Sequence, residues 1–78
     1  MEPRAAQASF RHEWDGAALY DGIAAVERDP NLAEVYRRLA EVERRHAARW
    51  ARELEDAGVP VPARHPSLRV RILIWLAR

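Results

Sequence analysis

Glu43 and His46 stand three positions apart in the stretch "AEVERRHAARW", residues 40–50. On a helix that spacing puts both side chains on one face, one turn apart. A carboxylate and an imidazole so placed either hydrogen-bond to each other or offer an oxygen and a nitrogen to one divalent cation. The choice depends on whether the pair points with the flanking arginines or away from them. At about 100° per residue, Leu32, Val35, Leu39, Val42, Trp50 and Leu54 share one side of the segment, with Tyr36 at its edge. His46 falls near the middle of that stripe, and Glu43 falls inside it. Arg37, Arg38, Arg44, Arg45 and Arg52 fall on the other side, with Glu34, Glu41, Glu55 and Asp56.

A second inward carboxylate lies upstream. Leu19, Ile23 and Val26 mark the apolar face of the preceding segment, with Tyr20 beside them. Gly16, Ala17 and Ala24 are on or next to that face and allow close helix approach. Glu13 sits at its margin, two turns before Tyr20. Burying a carboxylate without a partner costs several kcal/mol or forces its protonation. A core Glu–His hydrogen bond or a carboxylate reaching past the core to water answers that cost. A metal held by Glu13, Glu43 and His46 answers it as well.

The elements that must position these residues are helices. No stretch alternates as a strand would. The pattern predicts a first helix over about 9–28, with Ser9 as N-cap. Asp29-Pro30 punctuates, Asp29 capping and Pro30 filling the first helical position. The second helix is expected over about 30–57, stopped by Gly58 in a left-handed conformation and by Pro60 and Pro62. "VPVPARHP" reads as an extended linker, followed by a third helix over about 67–78. The join between the first two is so short that they must fold back as an antiparallel hairpin. Such a hairpin leaves an apolar stripe half exposed, and two hairpins together make a four-helix bundle. The expected fold is therefore all-α: a long two-helix hairpin plus a short third helix, one domain, paired with a second copy.

Composition narrows the classes. Seventy-eight residues make one small domain that commonly needs a metal, disulfides or a partner chain. The chain has no cysteine, which removes disulfides. Net charge is +1, so no general attraction to nucleic acid is expected. Every acidic residue lies at or before Asp56, while Arg64, Arg69, Arg71 and Arg78 follow it. All thirteen basic residues are arginine. The N-terminus has no apolar run of signal-peptide length, and no window of about 20 apolar residues exists to span a bilayer. Nothing resembles a phosphate-binding loop, a hydrolase triad or a zinc knuckle.

The Glu, then Glu-x-x-His, arrangement resembles the ferritin-like di-iron carboxylate proteins. "FRHEWDGAALYDGIAAVERDP" looks like the first helix of that family, with Glu13 as lone ligand. "LAEVYRRLAEVERRHAARWARELEDAG" looks like the second, with Glu43 and His46 as the pair. More narrowly, "DGAALY", "DPNLAEVYRRLAEVERRHA" and "AGVPVP" before "LRVRILIWLAR" are similar to the rubrerythrin-like domain found ahead of membrane transporters of the vacuolar iron transporter family. The half-pattern is also similar to encapsulated ferritins, whose two-helix subunits build the site between chains. The resemblance implies Fe²⁺ as ligand, Glu43 as bridge, Glu13 as terminal carboxylate, His46 as nitrogen ligand, and Tyr20 near the metal. It implies ferroxidase chemistry for iron storage, transport or detoxification. Manganese or zinc suits the same hard donors.

The chain departs from the single-chain pattern in carrying only one such set. Either a longer protein supplies the second set, or two copies meet around a two-fold axis in an even-numbered assembly. The expected partners are thus a second copy, and by resemblance a transporter domain or an encapsulating shell. The expected location is cytoplasmic, at a membrane face or within a protein compartment. Two alternatives stand beside the ferroxidase: an iron receiver or sensor without turnover, and a metal-free dimerisation module. Glu27 and Glu53 face inward and are weaker candidates for auxiliary metal positions. His12 is read as inward at a frayed helix start, and neither it nor His65 has a spaced partner. Trp14 points away from the inner face, and Trp50 is expected in the core.

Overall fold

A computed structural model describes residues 2–78. Three helices account for most of them: α1 (Pro3–Val26), α2 (Pro30–Asp56) and α3 (Leu68–Ala77), and the described residues contain no strand. The hairpin-plus-short-helix architecture is as expected. One boundary is not: α1 begins at Pro3, well before Ser9. Glu2 is the N-cap, its carboxylate accepting from the backbone N–H of Arg4 (3.0 Å) and Ala5 (2.8 Å), with Pro3 at the first helical position. The side-chain oxygens thereby satisfy two of the unpaired N–H groups at the helix start. His12 therefore lies well inside a helix and not at a frayed end, and its side chain is exposed.

The turn between α1 and α2 is built from local side-chain bonds. The Glu27 N–H closes α1 onto Ile23 O (3.0 Å), and its carboxylate accepts from Asp29 N–H (3.1 Å). Asp29 Oδ1 in turn accepts from Asn31 N–H (2.9 Å) and Leu32 N–H (3.3 Å), and Pro30 opens α2. Glu27 thus serves the turn. At the far end, Gly58 adopts φ 71°. Gly58 N–H reaches Glu55 O (3.0 Å) and Val59 N–H reaches Leu54 O (2.9 Å), a Schellman-type termination for which glycine has no Cβ penalty.

The two long helices meet on a seam of small residues. Phe10, Ala17 and Ala24 on α1 repeat every seven residues, as do Ala33, Ala40, Ala47 and Leu54 on α2, and all are buried. A seven-residue repeat keeps two long helices in register along one another, and alanine lets their axes come close. The larger stripe residues do not fill this seam: Leu32, Val35 and Leu39 remain 38–49% exposed and Val26 is also exposed.

At the open end of the hairpin, Phe10 and Leu54 are the largest fully buried side chains, clustered with Ala6, Ala47 and Ala51. Trp14, Trp50, Val59 and Val61 pack against them, Trp14 stacking on Phe10 with ring centroids 6.1 Å apart. The proline-rich segment closes over this cluster. Gln7 Nε2 donates to Pro60 O (2.9 Å), and the Arg64 guanidinium lies 5.8 Å from the Phe10 ring centroid. Ser67 N–H then donates to Asp15 Oδ1 (2.7 Å), and Ser67 Oγ caps α3 at Val70 N–H (3.3 Å). From that anchor α3 runs parallel to α1, with Ile74 seated against Gly22. A Cβ on Gly22 would lie 2.7 Å from Ile74 Cγ1, so only glycine permits this approach.

α3 packs on α1 and does not reach α2. The helices therefore lie side by side in the order α2–α1–α3. The backbone envelope of 43 × 23 × 14 Å has the proportions of a single helical layer. An α-helix with its side chains is about 10–12 Å across, so the thin dimension holds one helix and no second layer covers either face. No described helix is long and apolar enough to cross a membrane.

Candidate metal centre

α1 and α2 run antiparallel, which brings Glu13 to the level of Glu43 and His46. One ligand atom from each of the three side chains lies within 4.8 Å of the others. His46 Nδ1 is 3.7 Å from Glu13 Oε2. Glu13 and Glu43 are half-buried and His46 is exposed. The cluster thus sits beside the seam, on the face of the layer that also carries Leu32, Val35 and Leu39.

Gly16, one turn after Glu13, makes room for the second carboxylate. A Cβ there would meet Glu43 Cδ and Oε2 at 3.4 Å. Any side chain longer than alanine would occupy the carboxylate's space. Its sequence signal is a glycine three positions after an inward glutamate, on the same face.

The electrostatics are those of an unneutralised acidic pair. The Glu43 carboxyl is held above the ordinary carboxylate range, first by sharing a proton with Glu13, then by partial burial and by the like charge of Glu13. Nearby His46 and His12 oppose the shift to a smaller extent. Two carboxylates at this distance cannot both ionise without cost unless a cation stands between them.

The donor set fits such a cation. Two carboxylates and an imidazole are hard to borderline donors, the set suited to iron, manganese or zinc. Ligands about 2.1 Å from one ion lie at most about 4.2 Å apart, so a small inward rotation of the three side chains converges them. Three protein donors leave a six-coordinate ion half satisfied.

The family model for Rubrerythrin matches residues 7–67. The chain belongs to the rubrerythrin family. That match spans α1 from Gln7, all of α2 and the linker, and so contains all three clustered side chains. Comparison with curated proteins and with solved structures gives no match. Membership in this family of ferritin-like di-iron domains accounts for a Glu on one helix facing Glu-x-x-His on the next.

The other sequence-derived candidates separate from the cluster to different degrees. Tyr20 stacks on Tyr36 across the seam, centroids 6.2 Å apart, two turns along α1 from Glu13. Glu53 is exposed and lines a shallow groove of about 170 Å³ with Glu13, His46, Arg49 and Trp50. His65 Nδ1 lies 3.3 Å from Pro66 O, in the linker. Arg44, expected among the solvated arginines, ties the two helices together: its guanidinium donates to Asp21 (2.6 Å) and to Glu41 (2.8 Å) on the side away from the cluster.

Proposed function

We propose that two copies of this chain pair face to face and enclose a di-iron ferroxidase centre. The observation that carries the reading is the convergence of Glu13, Glu43 and His46 within 4.8 Å on an uncovered face rimmed by exposed Leu32, Val35 and Leu39. A second copy related by a two-fold axis supplies the missing three donors and covers the apolar rim. By resemblance, Glu43 would serve as the bridging carboxylate, Glu13 as the terminal carboxylate and His46 as the nitrogen ligand.

In this reading Fe²⁺ is the substrate. Two Fe²⁺ give two electrons to one O₂, which takes up two protons and leaves as hydrogen peroxide; with peroxide as oxidant, the same two electrons and two protons yield two waters. The chain's residues supply the binding geometry and the charge balance. Glu13 and Glu43 lose their shared proton as the cations enter, and their negative charge favours the ferric product over the ferrous substrate. The apolar rim excludes bulk water once the second copy is in place. The activity belongs in the cytoplasm, where a protein without cysteine and with a ferrous substrate meets no conflict with reducing conditions.

Anaerobic Fe²⁺ titration with mass determination, followed by addition of O₂ or peroxide, tests the proposal. One Fe²⁺ per chain in an even-numbered assembly is expected, with loading lost in Glu43→Ala and in His46→Ala. Wild-type protein at one hundred times the dissociation constant should gain about 2.7 kcal/mol of stability from Fe²⁺, and the variants none. Stoichiometric iron binding by either variant refutes the site; binding without oxidant consumption refutes the ferroxidase step alone.

A further inference from the structure

α2 borders two shallow grooves of similar size, about 450 and 490 Å³, whose charge balance differs. In the first, Arg37 and Arg38 pair with Glu34, and Arg44 pairs with Asp21 and Glu41. In the second, Arg45, Arg49 and Arg52 meet Arg64 of the linker, and Glu55 is the one acid lining it. All four arginines are exposed, and among the described residues none of them forms an ion pair. The cause lies in the order of residues along the helix. An acid placed three or four positions before a base pairs better than one placed after it. Glu34 precedes Arg37 and Arg38, and Glu41 precedes Arg44. Beyond His46 the order reverses: Glu53 follows Arg49, and Glu55 follows Arg52. Arg45 does follow Glu41, but Arg44 holds that carboxylate at 2.8 Å. Arg45, Arg49 and Arg52 therefore form a row of like charges about 10 Å long, which costs helix stability while nothing neutralises it. The linker adds Arg64, whose guanidinium lies 5.8 Å from the centroid of the buried Phe10 ring.

We propose that this groove binds a condensed phosphate anion, of the pyrophosphate or tripolyphosphate class. Guanidinium groups present forked donors that match phosphate oxygens two at a time. Four of them around one groove leave a surplus of three positive charges, which a compact anion of several charges neutralises. The rest of the lining decides between anions. Ala48 and Ala51 are its only apolar residues, and no aromatic ring lines it. A nucleic acid strand would find no platform on which to stack its bases. An acidic peptide would find no pocket for an apolar anchor. Recognition rests on charge alone, and that favours the ligand with the most charge in the least volume. The neighbouring groove on the same helix, with its arginines already paired, offers no such surplus per guanidinium. The proposal does not rest on the metal reading, although Arg49 also lines the smaller groove beside Glu13 and His46.

Isothermal titration of the metal-free 78-residue chain with sodium tripolyphosphate tests it, in buffer freed of divalent ions by resin so that no soluble chelator competes as an anion. One tripolyphosphate per chain is expected, with affinity falling as salt is raised. Losing a charge-assisted hydrogen bond costs about tenfold. Arg45→Gln with Arg52→Gln should therefore bind about a hundredfold more weakly, and Arg64→Gln about tenfold. Arg45 and Arg52 are exposed and touch neither the core nor the metal cluster, so helical circular dichroism should be unchanged. Glu55→Gln, which removes the one acid, should bind about threefold more tightly. Arg37→Gln with Arg38→Gln removes the same net charge from the paired groove and should stay within about twofold of the wild type. Wild-type protein that binds no tripolyphosphate overturns the proposal. An Arg37→Gln, Arg38→Gln variant that loses as much as Arg45→Gln, Arg52→Gln overturns it too, since net charge and not this groove would then set the affinity. Citrate or a short single-stranded oligonucleotide that binds more tightly than tripolyphosphate at the same salt overturns the assignment of the anion.

Discussion

The same two helices build two surfaces of opposite character. Along the seam, Ala17, Ala24, Ala33, Ala40 and Ala47 are buried and no charged side chain intrudes. On the adjoining open face, leucine and valine side chains are exposed and two carboxylates stand against each other beside a histidine. A surface that holds a single chain together should bury its largest apolar groups, because transfer energy scales with area. Along most of the seam the smallest are buried and the larger ones left out, with Phe10 and Leu54 buried only at the open end of the hairpin. The difference assigns separate tasks: the seam sets the spacing and register of the hairpin, and the open face holds the clustered carboxylates and histidine and, in the pairing proposed above, the area for a second copy. Close approach at the seam is also what places Glu13 within reach of Glu43 and His46.

The largest effect is expected from disturbing the seam. Ala40→Leu or Ala47→Leu forces a bulky side chain between helices spaced for alanine, and overpacking of this kind typically costs about 1–3 kcal/mol. Leucine is nearly as good a helix former as alanine, so the loss would be one of packing. For a chain of this size each kcal/mol moves the melting temperature by about 4–8 °C. Thermal melts of metal-free protein should show a fall of roughly 10 °C or more, whereas Ala48→Leu, at an exposed position of the same helix, should leave the midpoint in place. Equal midpoints for Ala40→Leu and the wild type would mean that the seam does not fix the helix spacing.

That seam was only partly legible in the sequence, for a physical reason. Hydrophobic periodicity weights leucine and valine above alanine, so the stripe through Leu32, Val35 and Leu39 outweighs the alanines in the pattern. The seven-residue recurrence of Ala33, Ala40, Ala47 and Leu54 against Phe10, Ala17 and Ala24 was the signal that could have revealed it. The Glu13, Glu43, His46 cluster was legible because it depends only on helical phase and on a hairpin of known turn position. The turn and the Gly58 stop were legible because their bonds are local. The start of α1 was not. Ser9 has the right chemistry for an N-cap, but the turns before it are held by residues about fifty positions away: Pro60 accepts from Gln7, and Arg64, Val59 and Val61 cover Phe10. The same return of the chain brings Ser67 to Asp15 and ties Arg44 to nothing beyond its own hairpin, through Asp21 and Glu41.

Disturbing the open face should give the intermediate effect, and in a different observable. Val35→Ser with Leu39→Ser removes apolar area that a single chain leaves 49% and 38% exposed. The hairpin itself should lose little, and its helical circular dichroism should persist. The pairing proposed above should fail, with the particle mass in sedimentation dropping from that of two copies to that of the single chain. Metal affinity should fall with it, since each chain then offers only three donors. A wild-type chain that sediments as a monomer at high concentration and still loads Fe²⁺ would show that the half-site suffices alone.

The smallest effect, and the sharpest distinction between the two surfaces, lies in the pH dependence of Glu43. Its carboxyl is raised in the folded chain, chiefly through Glu13. A raised folded value means that the folded state holds the proton more tightly than the unfolded state does. The stability associated with it is fully present below the ordinary glutamate value of 4.5 and is lost as pH rises through the higher folded value. Metal-free wild-type protein at neutral pH therefore carries a destabilising ionised pair that Glu43→Gln removes. The variant should melt above the wild type at pH 7, and the difference should vanish by about pH 4, below the model-compound range. Adding Fe²⁺ at pH 7 should reverse the order, because the cation stabilises the ionised pair and the amide cannot replace a carboxylate ligand. No seam substitution can produce that reversal, since nothing at the seam titrates or binds metal. A Glu43→Gln variant less stable than the wild type at pH 7 without metal would mean that the pair is held together by the fold and needs no cation.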